Sequence, residues 1–208
     1  QAALSGFWRI PHFLCKKCKM NLFENNMYVC PFCRRDNKIF ALIKLLQNTS
    51  TATKEKASID LANMAFNNIC NKKSIVQQGA IPIFMDLVVS DCCLSTNAMC
   101  AICNLAFDSE SKQLIANCGT AKTMINMLRH EKCIEKIYYA IRIIANLASD
   151  SRCSEIIAKE GTIFFLVNLL KHKNTRLRSS SAAALWNLSF NNIDNKTKII
   201  SLGAIDIL

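Results

Sequence analysis

The 208-residue chain is short of the residues that interrupt regular structure, with five glycines and three prolines. So few breakers do not supply the turns of an all-β sandwich or barrel, and a hydrophobic fraction of 51% with a mean hydropathy of +0.16 is too apolar for a disordered chain. No uncharged apolar run reaches the roughly 18 residues that a bilayer crossing demands, so no membrane span is expected. The opening residues, QAALSGFWRIPHF, lack both the charged-then-apolar layout of a signal peptide and an initiator Met, and the chain is read as a segment of a longer protein. Histidine is scarce as well: His12, His130 and His172 stand in no nucleophile or metallohydrolase spacing. There is no G-x-G-x-x-G, no P-loop, no H-E-x-x-H and no recurring carboxylate pair. These absences predict a chain that is not an enzyme and takes no small-molecule substrate.

Cysteine, by contrast, is abundant. Eight of the twelve (Cys70, Cys92, Cys93, Cys100, Cys103, Cys118, Cys133, Cys153) are scattered through helical pattern, where a free thiol behaves as a small buried hydrophobe. That usage points to a reducing compartment, cytoplasmic or nuclear, rather than to a disulfide framework. The formal charge is +11; residues 1–38 carry seven basic and two acidic side chains (+5), the remainder 19 and 13 (+6). A Zn²⁺ held by four thiolates would add −2 to the first segment, so the positive excess is spread along the chain with no dense basic tract; it favours acidic partners without marking a nucleic-acid arm.

The strongest signal is an internal repeat. LANMAFNNICNKKSIVQQG (61–79), ICNLAFDSESKQLIANCG (102–119), IANLASDSRCSEIIAKEG (144–161) and LWNLSFNNIDNKTKIISLG (185–203) align with one another. Their anchoring asparagines, Asn63, Asn104, Asn146 and Asn187, recur at intervals of 41, 42 and 41 residues, and Gly79, Gly119, Gly161 and Gly203 at 40, 42 and 42. Within each copy an apolar helix pattern follows the glycine, then a polar turn, then a longer helix ending at the Asn anchor. Asp108-Ser109, Asp150-Ser151 and Asn191-Asn192 read as stop and N-cap signals, and a short helix leads into the next glycine, which suits a left-handed terminus. Three helices in about 42 residues is the unit of an α-solenoid.

These copies resemble armadillo repeats over residues 39–208. The resemblance implies an all-α, right-handed solenoid with units at 39–78, 79–118, 119–160 and 161–202 and the start of a further one at 203–208. It implies a protein-interaction scaffold or adaptor that takes an extended partner segment in a concave groove lined by Asn63, Asn104, Asn146 and Asn187. An amide offers both donor and acceptor, so such a ladder can hold a peptide backbone without reading its side chains; the alternative is that these amides tie neighbouring helix ends together. Importin-α-type transport adaptors, the second reading, carry Trp four residues before the Asn. Here those positions are Ile59, Cys100, Arg142 and Ala183. Arg142 would repel a lysine and suits an acidic or mixed segment; Tyr138 and Tyr139 could add an aromatic contact beside it. Trp186 is read as packing.

Ahead of the repeats, CKKC (Cys15, Cys18) and CPFC (Cys30, Cys33) are separated by eleven residues. Two C-x-x-C loops can complete one tetrahedral thiolate site, which suits structural Zn²⁺. The segment resembles a zinc ribbon, and residues 1–38 are assigned to this small module. CPFCR also resembles the last pair of a RING, which leaves open a third reading: the substrate-binding part of a ubiquitin ligase. Nucleic-acid binding through Lys16, Lys17, Lys19, Arg34 and Arg35 is the weakest alternative.

Overall fold

The computed structural model describes residues 31–47, 50–90 and 92–207. Cys15, Cys18 and Cys30 lie outside the described residues, as does the side chain of Cys33, so the zinc expectation falls outside them too. Among the described residues every regular element is an α-helix.

The first unit comprises α1 (Pro31–Leu46), α2 (Thr51–Ala65) and α3 (Ile69–Gln77). The second comprises α4 (Ala80–Val88), α5 (Cys92–Leu105) and α6 (Ser109–Asn117), and the third α7 (Thr120–His130), α8 (Ile134–Ala148) and α9 (Ser151–Lys159). The fourth comprises α10 (Thr162–Leu169), α11 (Thr175–Ser189) and α12 (Ile193–Ser201). Helix α1 runs through the 38/39 boundary drawn from sequence. Its apolar stripe begins at Ile39 and continues through Leu42, Ile43 and Leu46, all buried. Its earlier residue Asp36 accepts a hydrogen bond from the Ser74 hydroxyl at 2.8 Å, which ties that end of the helix to α3.

Local chemistry sets the helix ends. Asn68, Asp108, Asp150 and Asn192 cap the four short helices, each side chain accepting the amide N–H three residues on, at 3.0, 2.7, 3.2 and 2.9 Å. The glycines that close the units adopt φ between 74° and 82°. In the first and fourth units, where the long helix runs into Phe-Asn-Asn, Asn67 and Asn191 take the left-handed conformation with φ 51° and 50°; asparagine tolerates it better than most residues.

The long helices α2, α5, α8 and α11 lie side by side in series, and the core runs unbroken between them and the shorter helices from Ile39 to Ala204. Helix α8 illustrates the logic. Ile137, Ala140, Ile141, Ile144, Leu147 and Ala148 bury one face at helical spacing, and Ile143 is buried as well because α5 and α11 flank it on both sides. A lone helix pair would leave such a surface wet, so stacking is obligatory.

Candidate groove on the long-helix face

The four anchoring asparagines end the four long helices, and three of them join successive units. The Asn104 side-chain amide donates to the Ala62 carbonyl at 3.1 Å, Asn146 to Cys103 at 3.0 Å and Asn187 to Ala145 at 2.8 Å. Each acceptor is the residue just before the preceding unit's own Asn, so the bond is a repeating rung across adjacent long helices. Asn63 is exposed. The tie between helix ends is therefore realised at Asn104, Asn146 and Asn187. Each of these amides keeps its oxygen and one N–H unused among the described residues.

Between α8 and α11 the face opens into a cleft of about 310 Å³. Tyr138, Arg142 and Asn146 line it from α8, and Ser179, Ala183 and Asn187 from α11, each column advancing four residues at a time along one helix stripe. Ala145 and Ser180 complete the lining. Asn146, Asn187 and Arg142 were expected here from sequence, as was Tyr138 more loosely. Ser179 and Ser180 were missed, although they sit eight and seven residues before Asn187 and the same spacing leads from Tyr138 to Asn146.

Charge and aromatic contacts shape the entrance. Arg176 reaches from α11 to Glu135 of α8 at 2.8 Å and stacks on Tyr138 with its guanidinium 4.0 Å from the ring centroid. Both partners of the ion pair are about half exposed, so the bridge contributes little to stability. Arg142 lies 5.5 Å from the same ring. Tyr139 turns instead toward the preceding long helix, packing against the core beside Cys100 and Cys103. Burial, with the Cys100 thiol next in effect, pushes its phenol upward. Cys103 is buried and approaches the Tyr139 carbonyl at 3.8 Å; burial pushes its thiol up to about 12, with Arg142 opposing in part.

The turn at 172–178 is held by Arg178, which donates to the carbonyls of His172 and Lys173, both at 3.0 Å. Trp186, read as packing, is 71% exposed, whereas Ala62 and Cys103 at the same position of earlier units are 6% and 4% exposed. Those two are covered by the next long helix, and no described helix follows α11 on that side.

The family model for the armadillo/beta-catenin-like repeat matches residues 150–190. No curated protein matches the chain. Among solved structures, an engineered protein superposes with a TM-score of 0.77 at 26% identity, covering 82% of this chain and 70% of its own. A designed armadillo repeat protein in complex with the peptide (KR)4 superposes with a TM-score of 0.76 at 24% identity, covering 81% and 72%. Computationally designed armadillo repeat proteins for modular peptide recognition give 0.75 at 25% identity, covering 81% and 72%. The fold is that of an all-α armadillo-repeat solenoid. Among the described residues, no helix is long and apolar enough to cross a membrane.

Proposed function

We propose that this chain is a protein-interaction scaffold or adaptor, and that it binds an extended segment of a protein partner along the face formed by α2, α5, α8 and α11. The observation that carries the reading is the pair of side-chain columns converging on one cleft, with Asn146 and Asn187 at its inner end. The rungs to the preceding helices hold each amide in one orientation, so its remaining oxygen and N–H are positioned before a peptide arrives. Pre-orientation of that kind reduces the entropy lost on binding.

The segment is acidic or mixed. A net charge of +11 opposes a basic ligand, and the positions where an importin-α-type adaptor would place Trp hold Ile59, Cys100, Arg142 and Ala183. A lysine-rich localisation signal would meet Arg142 without the aromatic walls that pocket its stem.

Capture of partners by the purified 208-residue chain, compared with an Asn104→Ala, Asn146→Ala variant of unchanged helical content, tests the reading. Partners lost selectively from the variant support the groove. If all partners are retained by a folded variant, the working surface lies elsewhere.

A further inference from the structure

The α8–α11 cleft has one cationic side chain and no carboxylate in its lining. Glu135, two turns before Arg142 on the same helix, is already paired with Arg176, and Arg142 makes no ion pair among the described residues. Arg142 is half-buried and its guanidinium rests beside the Tyr138 ring, a contact that restricts its freedom before any ligand is present. Around it are donors: the Ser180 hydroxyl and the uncommitted N–H groups of Asn146 and Asn187, while the Ser179 hydroxyl beside them donates to the Arg176 carbonyl at 3.2 Å. A half-buried, unpaired cation ringed by donors is built for an anion.

We propose that this cleft is a subsite for a single side-chain carboxylate of the bound segment, held by Arg142 with Ser180 and the free amide N–H groups of Asn146 and Asn187, an inference that rests on the groove reading above. Three features select one carboxylate over a run of acids or a phosphate. One guanidinium matches one carboxylate in charge and in fork geometry, whereas a phosphoryl group near −2 would be left partly uncompensated. The positions equivalent to Arg142 in the other units are Ile59, Cys100 and Ala183, so the cation occurs once along the row. At the position equivalent to Tyr138, the first unit carries Glu55, which would repel a second acidic residue further along.

The test is fluorescence anisotropy with labelled octapeptides and the full 208-residue chain at two salt concentrations. The probes are alternating Ser-Gln, the same peptide with one central Glu, alternating Ser-Glu, and the one-Glu peptide with phosphoserine in place of that Glu. The expected result is that one Glu tightens binding about ten-fold over Ser-Gln, as a charge-assisted hydrogen bond of ordinary strength would, and that three further Glu residues add less than the first. Arg142→Gln should remove that gain, so that the one-Glu and Ser-Gln peptides bind this variant equally. Lys122→Gln, which deletes an exposed charge on α7, should alter the gain by less than two-fold. A gain proportional to the number of Glu residues, or equally reduced by Lys122→Gln, would mean diffuse electrostatics and overturn the subsite. Preference for the phosphoserine probe, lost in Arg142→Gln, would overturn the carboxylate assignment. Equal binding of Ser-Gln and one-Glu peptides would remove the subsite while leaving the groove intact, and no binding of any probe would remove both.

Discussion

The side-chain amide of Asn146 donates to the backbone carbonyl of Cys103 at 3.0 Å, joining the ends of two long helices across 43 residues of sequence. The same bond recurs from Asn104 to Ala62 and from Asn187 to Ala145. The residues that mark the repeat in sequence thus set the register between neighbouring units, and they do so from the face on which a ligand would lie.

Removing a rung has a structural consequence that can be separated from a binding one. Asn104→Ala and Asn146→Ala should each destabilise the chain by about 1 kcal/mol, the usual net value of such a bond, while helical content at low temperature stays unchanged. Urea unfolding followed by circular dichroism measures this. A variant as stable as wild type would show that the rungs contribute nothing to register.

Gly161 adopts φ 82°, and an added Cβ there would meet no atom within 4 Å. The penalty of Gly161→Ala is therefore backbone strain alone, roughly 1–2 kcal/mol for a left-handed L-residue. Gly161→Asn should be milder, because asparagine enters that region more readily. Thermal melts of the two variants give the order, and a reversed order would refute this account of the position.

Asp150 titrates below the ordinary aspartate range. The hydroxyl hydrogen bond from Ser109 is the largest cause; burial opposes it, and the Cys153 N–H adds a smaller lowering effect. A depressed folded value stabilises the fold above the unfolded pKa, near 4, and that stability is lost as pH falls through the folded value. Asp150→Asn keeps a good capping residue but cannot ionise. The stability advantage of wild type over Asp150→Asn should accordingly shrink as pH drops below about 4. Urea midpoints across pH 3–7 test the claim, which a constant difference would contradict.

The described thiols should divide by burial. Cys70 and Cys93 are exposed, whereas Cys103 and Cys153 are buried, with thiols pushed up to about 12 and about 11 chiefly by burial. Alkylation with iodoacetamide at pH 8, read by mass spectrometry, should modify the first pair rapidly and the second only on unfolding. Early modification of Cys103 would show that the α5–α8 contact opens in the native state.

The spacing of Cys15, Cys18, Cys30 and Cys33 leads us to expect one zinc per chain when the protein is purified without chelator. Elemental analysis of wild type and of Cys15→Ser, Cys18→Ser decides it. An absence of zinc from the wild-type chain would sink the site, as would equal zinc in the variant.

The repeat, its period and the ends of its helices were legible in the sequence, because those signals act over a few residues. Asp108 caps the amide three positions on, and Gly119 is left-handed where it stands, whatever the neighbouring units do. Arg142 could be singled out in the same way, from its spacing to Asn146. The tertiary structure decided what lies 40 residues away. Rotation of one unit on the next set Ser179 and Ser180 opposite Arg142 and seated the Asn146 amide on the Cys103 carbonyl. Those outcomes depend on packing between whole helices, and no window of a few residues carries that information.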